Sequence, residues 1–238
     1  MLYNISTSLE NTLFAVLPLY RRIFFRLTGI LIKNSIGDTM KKNVFSTKQL
    51  TGIAVLVALV IVLQSISTVV PLVVQLNLAL IPIVLGALLF GAGAGALIGF
   101  ACGVVVLIQV MTVPSTFYTL IWTYDPVATT LTCLVKTTVA GFVAGLLYQA
   151  LQRKNKLLAV FVAAAVVPVI NTSLFVVGCL FMVNSVYQMA GGQNVLTFIL
   201  VGLVTWNFFF ELLANLLIAP ALYRVITIVE KDFIRKRK

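Results

Sequence analysis

Between Gln49 and Tyr223 this chain carries only six charged residues in 175, and that scarcity constrains its fold more than any motif does. The other 17 of its 23 Asp, Glu, Lys and Arg residues fall in 1–48 or 224–238. An average soluble domain has about 25% charged residues spread along its length. Here the figure is 10%, with 61% of residues from the AVILMFWYC set. Such a chain reads as an all-α integral membrane protein with charged ends. The apolar middle holds no polar linker, so it is expected to be one membrane domain with no soluble catalytic domain attached.

A helix crosses the hydrocarbon core in about 20 apolar residues. That length predicts six spans, at 50–70, 78–90, 94–111, 127–151, 157–183 and 196–223. The second is too short to cross unaided and is expected to be tilted, broken or shielded by protein. Basic residues set the orientation. Lys41, Lys42 and Lys48 precede the first span, Arg153, Lys154 and Lys156 join the fourth to the fifth, and Arg224 to Lys238 follow the sixth, whereas 71–77, 112–126 and 184–195 contain no Lys or Arg. The basic segments, and with them both termini, are expected in the cytoplasm. Residues 1–39 form an N-terminal extension whose apolar stretch is interrupted by Arg21, Arg22 and Arg26. It is not read as a span. Two readings stand for it: an interfacial segment, or sequence upstream of a true start at Met40. The membrane domain is then 40–238.

The net charge of +11 lies beside the spans, where it suits anionic lipid rather than nucleic acid. Cys102, Cys133 and Cys179 sit in apolar stretches without CxxC spacing, and histidine is absent, so no metal site or cofactor is expected. The Gly91-Ala-Gly-Ala-Gly95 run lacks the Lys-Ser/Thr of a phosphate loop, and no HExxH or Ser/His/Asp set is present. An enzyme is not expected.

Ionisable groups at membrane depth are costly and therefore functional candidates. Lys136 and Glu211 are the two that lie well inside spans. From the span limits, Lys136 is expected about 14 Å from the outer start of span four and Glu211 about 22 Å from that of span six. They are read either as a structural pair or as separate groups, Lys136 facing a cavity that binds an anionic solute. Asn207, Glu211 and Asn215 recur at i, i+4 and i+8 on one helix face. Asn171 follows Pro168, which frees a backbone carbonyl that Asn171 either repairs or leaves to a ligand. Trp122, Tyr124 and Asp125 before span four, with Thr116 and Tyr118, form an interfacial belt or close over a solute; Asn184, Tyr187, Gln188, Gln193 and Asn194 stand similarly before span six. Asn77 and Gln109 are further solute-binding candidates at that depth. Gly95, Gly99 and Gly103, with Gly141 and Gly145, follow GxxxG spacing, which lets helix backbones approach closely.

Across 44–230 the chain resembles the substrate-binding S components of energy-coupling factor (ECF) vitamin transporters. The likeness rests on the basic N-terminus before Ala54-x-x-x-Ala58, on Leu80-Ile-Pro82-Ile-Val-Leu-Gly86 with Phe90-Gly91 and Ala94-Gly95-Ala-Leu-Ile-Gly99-Phe, and on 207–220 of the last span. The resemblance implies a six-helix bundle in a prokaryotic cell membrane that captures a vitamin from outside. It also implies a transmembrane coupling (T) component docked on Ala54 and Ala58, two cytoplasmic ATPases, and reorientation of the whole subunit in the bilayer. Asp125-Pro126, Lys136 and Pro168-x-x-Asn171-Thr172 followed by an aromatic look most like the pantothenate type, whose carboxylate would suit Lys136. Riboflavin, folate, thiamine or hydroxymethylpyrimidine are the other solutes in view. A stand-alone proton-coupled carrier using Glu211 is the alternative from another class.

Overall fold

The computed structural model describes residues 47–69, 77–113, 115–191, 194, 197–199 and 205–235. All of these belong to one compact unit, Ser46–Lys238. The extension 1–39, Lys41, Lys42, residues 71–76 and Gln193 lie outside the described residues. The described helices are α1 Thr47–Val69, α2 Leu80–Phe90, α3 Ala92–Thr112, α4 Thr116–Tyr124, α5 Pro126–Leu151, α6 Lys156–Phe181, α7 Val183–Ala190 and α8 Thr205–Arg235.

Five of them are long and apolar enough to cross a membrane: α1, α3, α5, α6 and the Asn207–Val229 part of α8. The helix α2 is shorter, as its apolar run foretold. It is shielded by protein, packing on α1, α3, α5, α6 and α8, with Leu80, Ile83, Val84 and Ala87 fully buried. Gly91 ends it with φ 91° and ψ 179°, a left-handed geometry open chiefly to glycine, and α3 starts at once in a new direction. Pro126 occupies the first turn of α5, where its missing N–H costs nothing. The side chain of Asn155 caps α6 by accepting from the Leu158 N–H at 3.1 Å.

One boundary differs from expectation. The last helix, described from Thr205 onward, runs to Arg235, past the expected end at 223. Hydropathy marks where a helix can touch lipid, whereas hydrogen bonding lets it continue into water. The stretches 112–126 and 184–195, expected as connecting segments, contain the short helices α4 and α7.

Where α3 meets α5, side-chain size is distributed oppositely to a soluble core. The α3–α5 pair is the most extensively packed, and its glycines are the reason. A Cβ on Gly99 would strike the Thr137 carbonyl, one on Gly95 the Gly141 carbonyl, one on Gly103 the Cys133 oxygen at 2.6 Å, and one on Gly145 the Ala92 backbone. Meanwhile Leu97, Phe100, Ile108 and Met111 of α3, and Val127, Leu131, Val135 and Phe142 of α5, are exposed. Small residues inside and large apolar ones outside suit helices packed by close approach in lipid. Hydroxyls on these helices bond back to i−4 carbonyls, as Ser65 does to Ile61 at 2.8 Å and Thr130 to Pro126 at 2.8 Å. That removes the cost of exposing them to hydrocarbon.

Contacts also order the two ends of the bundle. Gly91 lies against Gln149, and Gly52 against Phe90, so these four share the end that carries Arg153. Gln64 bonds to Gln109, and Asp125 to Ser185, at the opposite end, referred to below as the Asp125 end.

Candidate functional site

Lys136 is ten residues beyond Pro126, which puts it about 15 Å along α5, half of a hydrocarbon core about 30 Å thick. Its Nζ stands over the Phe175 ring of α6, 5.1 Å from the centroid. Phe175 follows Asn171 by one helical turn and shares its face. The Phe175 ring meets that of Phe117 at 6.4 Å, and Phe117 meets Tyr118 at 5.9 Å. An aromatic column therefore leads from Lys136 to α4 at the Asp125 end. Burial pushes the Tyr118 hydroxyl above its ordinary pKa of 10.0, with a smaller push from Cys133, so it is a neutral hydrogen-bonding group at physiological pH.

The charge of Lys136 acts on Cys102 of α3, Cys133 of α5, Cys179 of α6 and Glu211 of α8. It therefore faces the interior of the bundle. No ion pair joins it to Glu211 among the described residues; its recorded close partner is the Phe175 ring. A cation–π contact contributes about 0.5–2 kcal/mol, while a lysine at the helix centre costs about 2.5–3.5 kcal/mol even on the insertion scale. The ring offsets only part of that cost.

Glu211 is six residues beyond Thr205, the first described residue of α8. It is buried, at 8% exposure, and lies at the Asp125 end beside Asn77, Ile81 and Asn215. The backbone N–H of Asn77 points at its carboxylate. Of the polar stripe on α8, Glu211 and Asn215 are buried and Asn207 is half-buried. Asn171 is also buried, and its Oδ1 has no hydrogen-bond partner.

Gln109 is committed to α1. Its Nε2 donates to the Gln64 backbone carbonyl at 3.1 Å, and its Oε1 accepts from Gln64 Nε2 at 3.0 Å. Because a backbone carbonyl only accepts, this pair of bonds settles both amide orientations.

Asp125 is engaged with α7. Its Oδ2 accepts from the Ser185 N–H at 2.8 Å and the Ser185 hydroxyl at 2.6 Å, and its Oδ1 from Asn184 Nδ2 at 3.2 Å. It caps the first turn of α7 from outside that helix, while Thr129 of α5 donates to the Ile121 carbonyl of α4 at 2.9 Å. Burial works against the charged form of Asp125, but the donors from Ser185 and Asn184 outweigh it and hold the carboxyl below its ordinary 3.8. A lowered folded-state value means that the unfolded chain binds more protons through this range, so stability rises with pH there. The cap is in full force above about pH 4 and fades below it. Asp125→Ala is expected to cost about 1–2 kcal/mol at pH 7. The difference in Tm between wild type and variant in detergent should narrow as the pH falls below about 4; a gap that does not shrink with acidification would refute the cap.

Among the other sequence candidates, Trp122 is half-buried and Tyr124 is exposed at the rim of α4. Lys136 stands over Phe175, one helical turn from Asn171, whereas Asn77 and Glu211 share a different spot with Asn215, and Gln109 belongs to the α1 contact. Ala54 and Ala58 are exposed on α1, in a face that also presents Val55, Leu59 and Val62. Sequence reading missed Gln64, for which a glutamine inside an apolar span was the available signal; Phe175 is the aromatic that follows Asn171-Thr172.

The sequence matches the family model for the ECF transporter substrate-specific component over residues 48–223. No curated protein and no solved structure matches it. The matched segment contains the bundle from α1 into α8, Lys136 and Glu211 included. The chain belongs to the family of ECF transporter substrate-specific components, the multi-pass membrane subunits that bind the transported solute.

Proposed function

We propose that this subunit captures a small anionic vitamin, pantothenate being favoured, with Lys136 binding its carboxylate and Asn171 its hydroxyl or amide groups. The observation that carries this reading is the Lys136 ammonium inside the bundle, with the Phe175 ring beside it and no carboxylate at ion-pair distance among the described residues. A carboxylate supplied by the solute offsets what the ring leaves uncompensated. Trp122 and Tyr124 stand at the end from which such a solute would enter, and the Phe117–Phe175 column lies between. The Arg153 end is then cytoplasmic, and the membrane domain, 40–238, has both termini inside.

Calorimetric titration of the purified chain with pantothenate, beside riboflavin and thiamine, tests the solute, as does the mass of whatever small molecule copurifies. Saturable binding of pantothenate supports the reading. Binding of a cationic or neutral solute with pantothenate ignored overturns it.

As a family member the protein works with a coupling component and ATPases. The exposed Ala54 and Ala58 offer a flat strip on α1, which suits close helix packing against the coupling component. Ala54→Trp and Ala58→Trp are expected to leave solute affinity within twofold while abolishing co-purification with the coupling component. An intact pull-down with both variants would move the contact elsewhere.

A further inference from the structure

Lys136 and Phe175 meet because two contacts fix how α5 and α6 lie against each other. The helices run antiparallel, α5 away from the Asp125 end and α6 back towards it. At that end Thr129 Oγ1 lies 3.8 Å from the Sδ of Met182, the residue that closes α6. One turn deeper the backbones draw together: Gly178 is buried, and a Cβ on it would strike the Thr132 side chain. Thr132 stands one helical turn before Lys136 on α5, and Gly178 one turn beyond Phe175 on α6. The crossing therefore brings the ring level with the ammonium, whose Nζ is 5.1 Å from the ring centroid. A second aromatic braces the ring. Phe117 of α4 meets it at 6.4 Å with the planes 51° apart, a tilted packing that aromatic pairs favour. The helix α4 is itself tied down, since its Ile121 carbonyl accepts from Thr129 at 2.9 Å and its Leu120 carbonyl from the Ser185 hydroxyl at 3.3 Å.

The chemistry of the contact matters as much as its place. A lysine carries its charge on a flexible four-carbon stem that ends in three donors. Among the described residues the recorded close partner of this ammonium is the ring. Without it the side chain would sample several rotamers, and a solute would have to order them on binding. A neighbouring carboxylate would order the lysine too, but it would cancel the charge and compete with an incoming anion. An aromatic face attracts a cation through its quadrupole and carries no net charge of its own. It orders the ammonium while leaving the full positive charge to the solute.

We propose that Phe175 is a positioning residue for solute capture: set opposite Lys136 by the Thr132–Gly178 crossing and braced by Phe117, its ring holds the ammonium ready for a solute carboxylate. This rests on the reading of Lys136 as the solute-binding cation, and it adds the side chain through which α6 contributes to affinity.

Replacing Phe175 in the full chain by mono-, di- and trifluorophenylalanine draws electron density off the ring face while nearly keeping its shape, so the cation–π attraction is weakened with little change in packing. In detergent without solute, Tm should fall stepwise along this series when Lys136 is present, and the trend should vanish in Lys136→Met. Titrated with pantothenate, the series should lose affinity stepwise. Phe175→Leu should lose about fivefold or more, and Phe175→Tyr should stay within about twofold. Because the ring acts through the ammonium, Phe175→Leu should add nothing to the loss caused by Lys136→Met. Where Phe175→Leu fails to fold, the fluorinated rings decide. Equal falls in Tm in both backgrounds would reduce the ring to packing and overturn the proposal. If Lys136→Met loses affinity and the Phe175 series does not, the solute reading stands and the Phe175 assignment alone falls. If wild type ignores pantothenate, or Lys136→Met binds it undiminished, the solute reading falls and takes the positioning role with it.

Discussion

Lys136→Met is expected to weaken binding of the solute at least tenfold, a loss of about 1.4 kcal/mol or more. Methionine keeps the length and flexibility of the lysine stem and its contact with Phe175, so the substitution removes charge without opening a cavity. Because the variant no longer carries an ammonium at the centre of α5, its stability should hold or rise: the insertion cost of about 2.5–3.5 kcal/mol disappears and only the cation–π contribution of about 0.5–2 kcal/mol goes with it. A group retained at a stability cost and needed for binding is one selected for binding. Paired titration and thermal-melt measurements read both effects on the same sample. Unchanged affinity would sink the assignment of Lys136 to the solute, and a large fall in Tm with unchanged affinity would return the residue to a structural role.

The largest effect on folding is expected at Gly99. Its missing side chain is replaced in space by the backbone of α5, since a Cβ there would meet the Thr137 carbonyl and come within 3.1 Å of the Thr138 Cα. Overpacking a core by a few methylenes costs about 1–3 kcal/mol when neighbouring side chains can rotate away. Here the obstacle is main chain, which has no rotamers, so Gly99→Leu should exceed that range and separate α3 from α5. Phe100→Leu, one residue along but on the exposed face at 46% exposure, should be close to neutral. Size-exclusion profile and Tm in detergent measure the contrast. A monodisperse Gly99→Leu with wild-type Tm would show that the helices do not cross at this glycine.

Much of this architecture was legible before any coordinates. The expected spans at 94–111, 127–151 and 157–183 lie within two residues of α3, α5 and α6, because hydropathy is a property of neighbouring residues along the chain. The glycine spacing of 95, 99 and 103 announced a close helix contact, and the partner motif at 141 and 145 is part of the surface it meets. The site was less legible. The i, i+4, i+8 spacing of Asn207, Glu211 and Asn215 puts them on one face but leaves open which neighbour that face meets, since rotation about the helix axis is set by packing. Asp125, likewise, gave no sign that its acceptors were directed at a helix 60 residues later.

From the residues alone follow a membrane bundle, the limits of most of its helices and the two intramembrane charges to watch, because scarcity of charge and the periodicity of small residues are local and cumulative. Tertiary packing decided who meets whom. It buried the short α2 among five helices, gave Lys136 an aromatic ring where an acid was one expectation, and set Glu211 among amide oxygens. Those outcomes depend on the rotation and register of helices far apart in the chain, and close packing resolves them only when every face finds its partner at once.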